Sequence, residues 1–322
     1  MSDKPAVLVT RKLPQAVEDR LRRDYSPRLN PDDRLYTSGQ LIELSSGADG
    51  ILPCHTEKYT AQVIARLPGS VRIIANFSVG FDHVDVEAAK ERGIVVTNTP
   101  DVLSDATAEI AIMLMLGAAR RAGEGERLVR GRKWKDWSPS FMVGTQVTGK
   151  RLGIIGMGRV GRVVAKRARG FEMEIHYNDQ RRLSPQEEAG AIYHDKLEDM
   201  LPNCDFLAIH CVATPETHHL LNSERIALLP DGAIVVNAAR GAIVDDQALV
   251  EALKSGRLAA AGLDVFNGEP AGIHPAYREL ENTFLMPHIG SATRETRDAM
   301  GFRALDNLDA FFAGREPGDR VA

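Results

Sequence analysis

"RLGIIGMGRVGRVVAKRARGF", residues 151–171, decides how this chain is read. An apolar run with the character of a strand ends in Gly156-x-Gly158-x-x-Gly161, and a helical pattern follows at once. Such a glycine string alone carries little weight. Between a strand and a helix it has a physical logic. Gly156 permits the tight turn, Gly158 lets backbone approach a pyrophosphate, and Gly161 allows the helix to pack on the strand. The helix N-terminus that follows faces the anion, where free N–H groups and the helix dipole favour it. The stretch predicts the first βα unit of a dinucleotide-binding domain.

Outward from this unit, short apolar runs alternate with helical patterns. Besides 151–156, strands are predicted at 6–10, 72–76, 93–98, 173–177, 205–210, 233–238, 260–265 and 283–287. The runs are mostly apolar rather than alternating, as in strands buried on both faces of a parallel sheet. Several helical patterns between them end at Gly or approach Pro. Strand–helix–strand repetition builds right-handed crossovers and a doubly wound α/β fold. A chain of 322 residues corresponds to about two domains. The first covers roughly 1–100, and the second begins at Arg151 after the polar stretch 130–150. The last helical stretch, 291–313, is free to pack back on the first.

Composition excludes several classes. The net charge of −4 creates no field that would draw nucleic acid or an anionic membrane. Cys54, Cys204 and Cys211 are odd in number and lack metal-ligand spacing, so they read as reduced thiols of a cytoplasmic protein. No apolar signal region follows Met1. The longest apolar run, within 108–119, is too short to span a bilayer and reads as a buried helix. His210, His218 and His219 are close in sequence, but the first ends a strand and the pair falls in a loop, so no metal is expected.

The end of the next strand bears on which dinucleotide binds. An NAD site places Asp or Glu about 20 residues on, against the ribose hydroxyls. Here the strand is followed by Asn178-Asp179-Gln180-Arg181-Arg182. Asn178 cannot repel a 2′-phosphate, and Arg181 and Arg182 are able to clamp one. Asp179, one step later, is still able to serve NAD. The turn favours NADP(H) over NAD(H).

A cofactor alone is not an activity; a reaction beside the nicotinamide needs an acid/base and a charge clamp at the carboxyl ends of strands. Three successive strands each lead into one suitable residue: Arg240 after 233–238, Glu269 after 260–265 and His288 after 283–287. A forked guanidinium suits a carboxylate. A carboxylate beside an imidazole fixes its tautomer and favours its charged form.

These residues carry a resemblance. The segment NFSVGFDHVDVEAAKERGIVVTNTPDVLSDATAEIA (76–111), the GMGRVG loop, NAARGAIVD, GLDVFNGEP and MPHIGSAT resemble the D-2-hydroxyacid dehydrogenase family, in its glyoxylate/hydroxypyruvate reductase branch. The likeness runs along nearly the whole chain. It implies two doubly wound parallel-sheet domains. One is a discontinuous, flavodoxin-like substrate domain of residues 1–101 and 289–322, and the other a Rossmann cofactor domain of residues 102–288. It implies a homodimer, with the 103–121 helix and the Trp134–Trp137 arm at the interface. By resemblance, His288 is the proton donor, Glu269 its partner, and Arg240 the substrate-binding arginine. Backbone at Val79 and Gly80 cradles the substrate carboxylate. Gly158, Arg159 and Val160 match pyrophosphate contacts, and Val212, Ala238, Asp264, His288 and Gly290 join them around the cofactor. The implied activity is NAD(P)H-dependent reduction of a small 2-oxo acid to the D-2-hydroxy acid. Two other readings are compatible with the same motifs: an NAD(H)-sensing, corepressor-like binding protein, and a reductase of 2-keto sugar acids.

Overall fold

In the computed structural model, which describes residues 4–322, contacts group the chain into two compact units. One comprises the residues up to Leu103 with Ser291–Ala322, and the other Ser104–Gly290.

The first unit is a five-stranded sheet: β1 Ala6–Val9, β2 Ser26–Arg28, β3 Gly50–Leu52, β4 Ile73–Ala75 and β5 Val95–Thr97. All pairs are parallel, in the order β2-β1-β3-β4-β5. Side chains alternate across the sheet. Val7, Val9, Leu52 and Ile73 pack on one face with Val17, Leu21 and the 291–322 segment's Met300, Ala304, Leu305 and Leu308. Leu8, Ile51, Ile74 and Val96 pack on the other with Val63, Ile64 and Ala89. The helix Arg294–Phe312 thus completes a core begun 300 residues earlier in sequence. Two strands were not foreseen. β2 (Ser-Pro-Arg) is polar and lies at the sheet edge, where a proline is tolerated. β3 (Gly-Ile-Leu) is three residues long, too few for a periodicity to register.

The second unit holds seven parallel strands: β6 Arg151–Ile155, β7 Glu174–Asn178, β8 Ile192–Tyr193, β9 Phe206–Ile209, β10 Ala233–Asn237, β11 Leu258–Leu263 and β12 Thr283–Leu285. Their order is β12-β11-β10-β9-β6-β7-β8. The two-residue edge strand β8 escaped the sequence reading. The strand order reverses at β6 and β9, so a crevice opens beyond their carboxyl ends, beside the glycine loop. The apolar run at 104–119 is a helix buried against this sheet through Ala108, Ala111, Leu114, Met115 and Ala118. The resemblance implied one helix over 103–121. Instead it stops at Ala119, Arg121 turns left-handed at φ 54°, and a second helix runs from Ala122 to Arg130. Among the described residues, no helix is long and apolar enough to cross a membrane.

Candidate active site

The phosphate loop follows from local sterics. Gly156 sits at φ 90°, and a Cβ there would lie 2.5 Å from the Cys211 amide nitrogen. A Cβ at Gly161 would lie 2.2 Å from the Gly156 carbonyl oxygen, so only glycine lets the helix Arg159–Ala168 start this close to its strand. Gly158 is the helix N-cap, and a Cβ there would meet no protein atom within 4 Å. Arg159, Val160 and Gly161 form the first turn. These residues fit a dinucleotide pyrophosphate: the turn, the open approach and the free helix end are all present. Val212 lies just beyond β9 and is 70% exposed, while half-buried Ala238 follows β10.

Three side chains of the turn after β7 have protein partners. Asn178 ends the strand, but its side-chain nitrogen donates to the carbonyls of His194 and Asp195. Arg182 is engaged by Glu188 at 2.8 Å. Asp179 reaches back 22 residues to accept the Met157 amide of the glycine loop at 2.7 Å. Arg181 stays exposed.

The second unit also gathers the predicted catalytic residues. Glu269 accepts the Phe266 amide at 2.8 Å through one carboxylate oxygen. Its other oxygen is hydrogen-bonded to Nδ1 of His288. Both side chains are about one-quarter exposed, 26% for Glu269 and 27% for His288. His288 is left-handed at φ 54°, a region that histidine enters more readily than most residues. That conformation is held by Asp264. The Asp264 carbonyl accepts the His288 amide, and its carboxylate accepts the amides of Ile289 and Gly290, all at 2.8 Å. Asp264 is 1% exposed, and burial raises its pKa while these amides pull it down. The sequence reading placed Asp264 beside the cofactor and did not see this clamp. A lone Asp at a strand end gives no local sign of a partner 25 residues away.

Arg240 is set by the end of β10. Asn237 accepts the Ala239 amide and donates to the Arg240 carbonyl, forming a compact turn. A Cβ at Gly241 would fall 2.1 Å from the Phe266 backbone, so this turn lies directly against the segment leading to Glu269. Arg240 and Glu269, 29 positions apart in sequence, are thereby carried by two touching loops. Nearby, burial lowers His210 to about 4, which leaves a neutral imidazole at the end of β9.

In the first unit, Val79 and Gly80 lie in the loop after β4. Its carbonyls are fastened: Thr99 N–H donates to Ser78, Asn98 to Val79, and the Ser78 hydroxyl to Gly80. Among the described residues the amides of Ser78, Val79 and Gly80 have no acceptor, so three donors are left for an anion.

Comparison with known proteins agrees with this architecture. Residues 112–290 match the family model of the D-isomer specific 2-hydroxyacid dehydrogenase NAD binding domain. The chain is 45% identical over 315 residues to the glycerate dehydrogenase of Hyphomicrobium methylovorum, covering 97% of this chain and 98% of that one. It is 41% identical to the glyoxylate reductase of Thermococcus litoralis, covering 99% and 97%. It is also similar to the crystal structure of the NADPH-dependent glyoxylate/hydroxypyruvate reductase of Sinorhizobium meliloti in complex with NADP and malonate. There the TM-score is 0.87 at 34% identity, over 99% of this chain and 97% of the other. The chain belongs to the D-isomer specific 2-hydroxyacid dehydrogenases, oxidoreductases with a nicotinamide cofactor.

Proposed function

We propose that the protein reduces a small 2-oxo acid of the glyoxylate or hydroxypyruvate type to the D-2-hydroxy acid, with His288 as proton donor. The observation that carries this reading is the Glu269–His288 pair, fastened on one side by the Phe266 amide and on the other by the Asp264 clamp. Residues 104–290 serve as the cofactor domain and the remainder as the substrate domain.

Reduced nicotinamide, when bound, supplies the hydride. The chain's own residues do the rest. Arg240 and the amides at Val79 and Gly80 hold the substrate carboxylate. Glu269 accepts a hydrogen bond from the Nδ1–H of His288, which leaves Nε2 as the nitrogen for the substrate. His288 gives its proton to the keto oxygen as negative charge develops there. Before that step Glu269 balances the charge of the imidazolium, and throughout it keeps the ring oriented. Replacing His288 with Ala should lower kcat about 10²–10⁴-fold and leave cofactor affinity unchanged. Turnover near the wild-type rate, followed at 340 nm with glyoxylate, would end the assignment.

For the cofactor, the contacts after β7 support NAD(H) rather than the NADP(H) that the sequence favoured. Asn178 and Arg182 already have protein partners, and the Asp179 carboxylate at the glycine loop would repel a 2′-phosphate. A homodimer is supported by exposed apolar side chains on the second unit: Val129 at 60%, Trp134 at 56%, Trp137 at 74% and Val143 at 64%.

A further inference from the structure

Arg297 is a charge without a counter-charge. It lies on the helix Arg294–Phe312 of the first unit and is half-buried. Its guanidinium carbon sits 6.0 Å from the centre of the Phe77 ring. Among the described residues no carboxylate forms an ion pair with it. Burial lowers its pKa, whereas Arg11 and Arg303, each paired with a carboxylate, are raised. The Cys54 thiol is the charge-bearing group that acts on it, but burial pushes that thiol up to about 12 and keeps it neutral. The buried acid of this region, Glu57, is occupied elsewhere. It accepts the Thr10 hydroxyl, the Cys54 amide and the Thr56 hydroxyl.

Position gives this cation a purpose. Sheet order reverses at β1 and β3, and ligands of open parallel sheets bind beyond carboxyl ends at such a reversal. Cys54 follows β3 and Phe77 follows β4. The three free amides of Ser78–Gly80 come directly after Phe77. A desolvated, unbalanced guanidinium destabilises the fold unless a ligand supplies the missing charge. We propose that Arg297 is the anion receptor of the first unit, a binding residue that draws the substrate's carboxylate to the amides of Ser78–Gly80. This rests on the reading that those amides cradle a 2-oxo acid.

The test uses Arg297→Met, which keeps an apolar stem on Phe77, and Arg297→Lys, which keeps the charge. Glyoxylate kinetics are measured together with oxalate binding to the cofactor-loaded protein by calorimetry. Arg297→Met should raise both the glyoxylate KM and the oxalate Kd at least about tenfold, with kcat within about threefold of wild type. Its melting temperature without ligand should be equal or higher, because an uncompensated charge has gone. Arg297→Lys should recover most of the affinity. Unchanged KM and Kd in Arg297→Met would overturn the proposal. So would a fall in kcat alone, or a lowered melting temperature with intact affinity. If Arg297→Met does not fold, Arg297→Lys decides by itself. Near-wild-type oxalate affinity supports the proposal, and a lysine variant that is weak or unfolded overturns it. Should wild type reduce no 2-oxo acid, the functional reading fails, while the oxalate measurement still judges Arg297.

Discussion

Replacing Asp264 with Asn tests whether the clamp below His288 builds the site. The carboxylate presents two oxygens to two amides, Ile289 and Gly290, each at 2.8 Å. Asn keeps the shape but offers one oxygen and one NH2, so one backbone donor must face another donor. Leaving a buried donor unsatisfied costs about 1–3 kcal/mol, and the surviving bond loses its charge assistance, worth about 1 kcal/mol more. Relief from burying a charge offsets part of this, which leaves a net of about 2–3 kcal/mol. For a unit the size of Ser104–Gly290, that corresponds to about 4–12 °C in melting temperature. The loosened segment begins one residue after His288, and a displacement of about 1 Å at a catalytic group costs on the order of 10²-fold in rate. Thermal unfolding followed by circular dichroism gives the first quantity, and glyoxylate turnover at saturating cofactor gives the second. A variant that melts within about 1 °C of wild type and turns over within about twofold would refute the clamp.

Three further outcomes are expected. Burial holds Glu57 above its usual 4.5, so the folded chain binds that proton more tightly than the unfolded one. Its stabilising effect is complete below the unfolded value and is lost as pH rises through the folded one. The melting temperature of wild type minus that of Glu57→Gln should therefore fall between about pH 4 and 8, and a flat or rising difference would contradict the assignment. Asp179→Ala should lower the NADH-to-NADPH ratio of kcat/KM by about tenfold or more, and an unchanged ratio would remove Asp179 from cofactor choice. If the proposed homodimer forms through this surface, Trp137→Asp, a charge at a side chain 74% exposed, should make the protein monomeric in light scattering where wild type is dimeric. A dimer of unchanged affinity would rule this surface out as the interface.

The legible parts of the chain share one property: they are local. The 151–171 stretch contains a whole strand, turn and helix start, and each glycine answers a constraint set within a few residues. The apolar strands β1, β4, β6, β7 and β9–β12 were equally plain, because both faces of a parallel strand are buried. β2, β3 and β8 were not: β2 is polar and contains a proline, β3 offers only Ile51 and Leu52 between a glycine and a proline, and β8 is two residues long. The break at Arg121 was hidden because a non-glycine residue takes the left-handed turn. The contacts of the cofactor turn were hidden for a different reason. Residue types at 178–182 suggested a phosphate clamp, but hydrogen bonds to His194, Glu188 and Met157 redirect three of those five side chains.

Sequence alone determined the strand–turn–helix of the glycine loop and the parallel α/β character of the chain, and it singled out Arg240, Glu269 and His288 as candidates, since periodicity, glycine spacing and strand ends are properties of neighbouring residues. Tertiary structure decided which partners those side chains keep. Glu269 meets His288 across 19 positions, Asp264 holds the amides at 289 and 290, and Arg297 has no acid to neutralise it among the described residues. Such pairings depend on distances between segments far apart in the chain. Only folding sets those distances, and with them the charge each group carries.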